Sequence, residues 1–269
     1  MLARLLIILL LMLPCADLFA VPPPYNPYHP TTSTSTTLHS SPNANSYSAA
    51  ASLLIAKADL LNLGQSTNRG FTSTPSDKQK LSSLISTLTS STPNSNNVTA
   101  TDLIGKWTLI YTDAPDITSL DSSPATRLGR IGQEIESSGS GKIIVKNVIE
   151  YLRPKWLDRL PLPTSLIGGS DNDARVIQKV VTEGKSNSRN GKLIELAIKG
   201  AEIYSEGDDD NLPLALKQLK ERPVDLKGVG GLPFGSFEIL YLDEGIRIVR
   251  TSNNHIAVNV KDDAGSAWF

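Results

Sequence analysis

The sequence predicts a mainly β fold, an antiparallel β-barrel preceded by a short α-helical segment. Three observations carry that prediction. Apolar and polar residues alternate from about Asp102 to Lys261, the period-two pattern of half-buried strands. Turn residues punctuate these runs at hairpin spacing, as in Asp243-Glu244-Gly245 and Asn253-Asn254. Before them, two stretches carry apolar residues at helical spacing. About eight or nine strands joined by hairpins favour closure, which removes exposed edges. A ring of about eight strands leaves room inside for one small ligand.

The chain begins with a leader. Arg4 precedes the apolar run Leu5–Leu13, which Pro14 ends. A bilayer span needs roughly 20 residues, so this shorter run reads as a signal peptide. From Leu18 to Ala58 there is no Asp or Glu, Ser and Thr are dense over Thr31–Thr37, and Pro22, Pro23 and Pro24 stand together. Such a segment buries too little apolar surface to offset its chain entropy. Its composition is that of a transit peptide; a Ser/Thr linker of a secreted protein is the other reading. The expected organisation is a signal peptide over 1–20, a transit-peptide-like disordered segment over 21–47, a helical preface over 48–95 and a β-barrel domain over 101–262.

In the preface, Leu53, Ala56, Leu60 and Leu63 predict a helix over Ser48–Leu63, with Gly64 as its terminator. Leu81, Leu84, Ile85 and Leu88 form the apolar stripe of a second helix. Either Thr74 caps it ahead of Pro75, or Ser76 and Gln79 form a capping box. Both helices are expected to pack on the domain that follows, since their polar faces lack the clustered Lys and Arg of a membrane-surface helix.

Strands are expected around Trp107–Thr112, Ile131–Ile135, Ile143–Leu152, Arg175–Thr182, Lys192–Ile198, Phe237–Tyr241, Ile246–Arg250 and Ile256–Val260. Trp107, Leu109 and Tyr111 share one face by simple alternation. Gly245 is placed for a left-handed angle in a three-residue turn. Pro154–Pro163 and Gly207–Pro223 read as irregular insertions at the rim.

Composition narrows the function. The formal net charge is -1 and the pI about 6.3, which gives no basic excess for nucleic acid. Cys15 is the one cysteine and lies in the leader; of His29, His39 and His255 only the last lies in the β region. Thiol chemistry and a multi-histidine metal site therefore have no residues to use. Gly228-Val229-Gly230-Gly231 lacks the strand-turn-helix setting of a phosphate loop. Asp208-Asp209-Asp210 reads as a solvated acidic loop rather than a calcium site. No cofactor, no metal and no catalytic residues are expected. The sequence carries no signal for an oligomeric state.

The stretch Thr101-Asp102-Leu103-Ile104-Gly105-Lys106-Trp107-Thr108-Leu109-Ile110-Tyr111-Thr112 resembles the opening of the plastid lipid-associated protein (PAP)/fibrillin domain. Asn68-Arg69-Gly70 with the Pro-capped helix, Val145-Lys146-Asn147-Val148-Ile149, and Tyr241–Arg250 resemble later motifs of that family, in the same order. Asp171–Arg222 matches it poorly. The resemblance implies a lipocalin-like barrel and plastid location. It also implies association with thylakoids or plastoglobules, and binding of isoprenoid or other lipids without catalysis. Ala16-Asp17-Leu18-Phe19-Ala20-Val21-Pro22 is similar to the Phe-centred cleavage motif of algae with secondary plastids, implying import through the endoplasmic reticulum.

Gly105-x-Trp107 is also the lipocalin first-strand motif, in which the Trp closes the barrel floor and an Arg from the last strands covers its ring. Arg250 and Arg247 are the candidates for that role. The ligand-binding candidates are thus Trp107, Leu109, Tyr111, Asp243, Arg247 and Arg250. Trp107 is expected to act as a plug, and Asp243 either to cap its turn or to bind a polar lipid head. A secreted lipocalin-like carrier is one competing function. The other is a lipid-metabolising enzyme using barrel carboxylates, with Asp243 and Glu238 as first candidates.

Overall fold

The computed structural model describes residues 42–90, 98–120, 127–152, 175–207, 214–222, 224–225 and 233–262. The expected signal peptide, most of the expected transit-like segment, the Pro154–Pro163 insertion, Asp208–Asp210 and the Gly228–Gly231 run lie outside them.

Helix α1 (Pro42–Ser66) and helix α2 (Pro75–Ser90) precede the sheet. α1 starts already at Pro42, inside the segment expected to carry no structure, and passes straight through Gly64. Gly64 is therefore a contact and not a terminator: a Cβ there would lie 2.4 Å from the Ile110 carbonyl oxygen. α1 can approach the first strand this closely only without a side chain at that point. At α2, the Thr74 hydroxyl accepts from the Asp77 amide (3.2 Å) and the Asp77 carboxylate accepts from the Thr74 amide (2.8 Å). The reciprocal pair makes Thr74 the cap and leaves Ser76–Gln79 unused.

The strands are β1 (Gly105–Thr112), β2 (Arg127–Gly139), β3 (Lys142–Leu152), β4 (Arg175–Ser186), β5 (Leu193–Glu206), β6 (Val224–Asp225), β7 (Pro233–Leu242), β8 (Ile246–Thr251) and β9 (Ile256–Lys261). Pairing runs β1-β2-β3-β4-β5-β7-β8-β9 and returns from β9 to β1, every pair antiparallel. Eight strands thus form a closed ring, and the short β6 pairs with β5 outside it. Helix α3 (Leu214–Glu221) lies in the stretch Gly207–Pro223 that was expected to be irregular. Its Leu, Lys and Gln residues are good helix formers and follow directly on Pro213.

Alternation along paired strands defines the inner and outer faces, and bulges reset it. On β1 the pairing with β9 slips between Leu109 and Tyr111; on β7 the pairing with β8 slips between Ile239 and Tyr241. Trp107 and Leu109 point inward, but Tyr111 pairs with outward Val258 and faces the helices. The expectation that Tyr111 shares the face of Trp107 is therefore corrected by one inserted residue. Tyr241 is turned outward in the same way.

These bulges build the helix-barrel interface. Ala56, Leu60 and Leu63 of α1 and Leu81 and Leu88 of α2 pack on Tyr111, Tyr241, Ile246, Ile248 and Val258. The Ser73 hydroxyl and the Tyr111 phenol share a 3.0 Å hydrogen bond there. The opposite side of α1 leaves Leu54, Ile55 and Leu61 exposed (66%, 62% and 42%). Among the described residues, no helix is long and apolar enough to cross a membrane.

Candidate functional site

Inside the ring, two apolar clusters bracket a polar layer. Trp107, Ile135, Ile143, Val145, Ile194, Phe237, Ile239 and Val249 pack with Ala100 and Leu103 of the 3-10 turn before β1. Trp107 is wholly buried, and its indole Nε1 donates to the Leu103 carbonyl at 2.8 Å. The indole therefore has its one donor satisfied and closes the floor. Gly105, two residues earlier, has φ +136°, and a Cβ there would meet Lys261 Cε at 2.8 Å. The Gly-x-Trp spacing thus frees both the backbone turn and the space in which Lys261 approaches the ring. The second cluster comprises Leu109, Leu128, Ile131 and Tyr151, with Phe71, Ile117, Leu120, Ile149 and Val176 against it.

Between the clusters lie Arg247, Gln133 and Asn147. The Arg247 guanidinium stands 4.7 Å from the Trp107 ring centroid and the Lys261 ammonium 5.3 Å from it, both within cation–π range. Arg247 is fully buried and donates from Nη2 to Gln133 Oε1. Gln133 Nε2 donates in turn to Asn147 Oδ1 at 2.7 Å. Among the described residues, Arg247 Nε and Nη1 and Asn147 Nδ2 have no partner. Burial pushes the Arg247 guanidinium down to about 9, which still leaves it charged at neutral pH.

Of the two arginines proposed for the ring, Arg247 takes the position. Arg250 is exposed and 3.8 Å from Glu238 on the outer surface. The reason is parity: Arg247 and Val249 pair with inward Asn259 and Ala257, which leaves Arg250 on the other face.

Asp243 also lies apart from the interior. Its Oδ1 accepts from the amides of Gly245 (2.8 Å) and Ile246 (2.7 Å), and its Oδ2 accepts from the Tyr241 phenol (2.6 Å) and pairs with Lys57 of α1. Its oxygens cap the turn and clamp α1, the capping role expected of it. Gly245 needs no left-handed angle, because the side-chain bonds of Asp243 shape the turn. Glu238 sits on the outer surface with Arg250, and the buried carboxylate Glu150 faces outward with Arg175 at 2.8 Å.

Burial raises Asp243, but the hydrogen bonds from Lys57, Tyr241 and the two amides outweigh it and hold the carboxyl below its usual range. Because the folded value is depressed, the stabilisation is full above the unfolded value of about 3.9 and is lost as pH falls through the folded one. Asp243→Asn is expected to cost about 1–3 kcal/mol at neutral pH. The gap to wild type should close in acid, as urea titrations across pH would reveal; a pH-independent gap would contradict the clamp.

Gln133, Asn147 and Lys261 were not among the residues nominated from sequence. A readable signal existed for two of them: each is an amide side chain in the centre of an apolar alternation, Ile131-x-Gln133-x-Ile135 and Val145-x-Asn147-x-Ile149.

Residues 55–259 match the family model PAP_fibrillin. Neither the comparison with curated proteins nor that with solved structures finds a match.

Proposed function

The chain belongs to the PAP/fibrillin family, and on that premise we propose that it is a non-enzymatic lipid-binding structural protein of plastid membranes or plastoglobules. Its ligand is an isoprenoid or another lipid held in the barrel. The observation that carries this reading is the interior itself, in which apolar clusters flank a small polar layer. Binding sites for small molecules have this make-up, mostly apolar with a few placed polar groups. The inward-facing Asn147, Ile149 and Gln133 are only half-buried, consistent with space beside them. Leu54, Ile55 and Leu61 on the outer side of α1 suit contact with a lipid surface.

Uptake of an apolar isoprenoid by the purified chain tests the reading. Calorimetry should give a negative heat-capacity change, and the affinity should vary little with salt. Leu109, inward in the second cluster, is the residue to enlarge. Leu109→Trp should cut uptake by about tenfold while costing only about 1–3 kcal/mol of stability, the usual penalty for overpacking. Turnover of the ligand, or no uptake of any lipid, would count against the proposal.

Plastid location belongs to the same reading, with entry through the endoplasmic reticulum on the bipartite leader. A fluorescent protein fused behind residues 1–60 should reach the plastid of an alga with secondary plastids, and Phe19→Ala should stop it earlier. Secretion of the unmodified fusion would favour a lipocalin-like carrier instead.

A further inference from the structure

Among the described residues, the most deeply buried cation of the barrel has no anion beside it. Arg247 is 0% exposed, and Lys261 stands over the same indole ring. Among the described residues, the strand register puts no Asp or Glu on the inner face; Glu134, Glu136, Glu183, Glu195, Glu202, Glu206 and Glu238 all fall on the outer one. Among the described residues, the one acceptor that reaches the guanidinium is the Gln133 side-chain carbonyl. Arg247 Nε and Nη1 and Asn147 Nδ2 meet no acceptor among the described residues. A buried donor left unmet costs about 1–3 kcal/mol, and more when it is charged. Water can meet donors, but it cannot neutralise a guanidinium in a low-dielectric interior.

The missing partner has a defined chemistry. It offers oxygen acceptors and negative charge at the level of Arg247, and apolar surface toward Leu109, Ile131 and Ile149, which line the second cluster. One buried guanidinium and one amide suit a head with a single charge and two oxygens better than a multiply charged phosphate. We propose that the barrel is a site for a long-chain carboxylate, its head held by Arg247 and Asn147 and its chain lying along Leu109, Ile131 and Ile149. This rests on the barrel-ligand reading above and names the head group that the barrel selects.

Palmitate and hexadecan-1-ol share a chain and differ at the head, so calorimetric titration of the full chain with each isolates the head. Wild type should bind palmitate about tenfold or more tighter than the alcohol, the effect of one charge-assisted hydrogen bond. Removing Arg247 risks the fold, because it covers Trp107, so the decisive variant is Gln133→Glu. It is isosteric and puts a carboxylate where Arg247 Nη2 already donates. The Asn147 amide, which now accepts from Gln133 Nε2, can turn its unmet Nδ2 to the new carboxylate, and Gln133→Glu should abolish the preference for palmitate over the alcohol, the ratio of the two affinities being the readout whatever the change in their common level. Equal affinities in wild type, or a preference that survives Gln133→Glu, would overturn the carboxylate site while leaving a lipid-binding barrel. Failure to bind either chain would overturn the barrel-ligand reading itself, and the carboxylate site with it.

Discussion

Trp107→Ala is expected to destabilise the barrel by about 3–5 kcal/mol, the range for truncating a large buried aromatic. Two further losses fall on the same site. The Leu103 carbonyl loses the indole hydrogen bond, and Arg247 loses the ring face that compensates part of its desolvation. Urea denaturation of the single and double variants separates these terms. Trp107 and Arg247 should couple by about 0.5–3 kcal/mol in a double-mutant cycle. Trp107 and Arg250 should be additive, since Arg250 pairs with Glu238 on the outer surface. Additivity in the first pair, or coupling in the second, would contradict the floor described above.

Gly70→Ala should be nearly as damaging, at about 2–4 kcal/mol. Asn68, Arg69 and Gly70 all take positive φ (46°, 61° and 94°), and only the glycine does so without strain. A Cβ on Gly70 would fall 1.9 Å from the Thr112 carbonyl oxygen, a backbone atom that cannot rotate away. The turn has a purpose in the barrel. β1 and β2 pair only over Gly105–Thr108, and beyond that the strands separate. Into the gap the Arg69 carbonyl accepts from the Thr112 amide at 3.0 Å, and the Arg69 guanidinium donates to the Gly129 carbonyl. Gly70→Ala should therefore loosen the helices from the barrel, and limited proteolysis should cut near α1 and α2 before the strands. Unchanged stability and unchanged cleavage would mean that the turn relaxes freely.

The strands were legible because period two survives wherever one face is buried. Ile143–Leu152 and Ile256–Val260 read from sequence nearly as they stand in β3 and β9. The stripe Leu81, Leu84, Ile85 and Leu88 likewise gave α2 and the face it buries. Trp107 was legible as the floor, since the Gly-x-Trp pair carries both the backbone freedom and the plug.

What the sequence determined by itself was local: where apolar residues alternate, where helices are capped, and which residue types are missing. Tertiary structure alone decided the faces and partners. One extra residue near Tyr111 and one near Tyr241 reversed the parity of all that follows, and no alternation rule marks a bulge in advance. Gly64 reads as a stop until β1 is seen against it, because a close approach and a helix end call for the same residue. The choice of Arg247 over Arg250 follows from register across the closed ring. So does the meeting of Gln133, Asn147 and Arg247, residues from three strands. Their hydrogen bonds span up to 114 positions in the chain, and only closure of the barrel brings such distant residues within reach of one another.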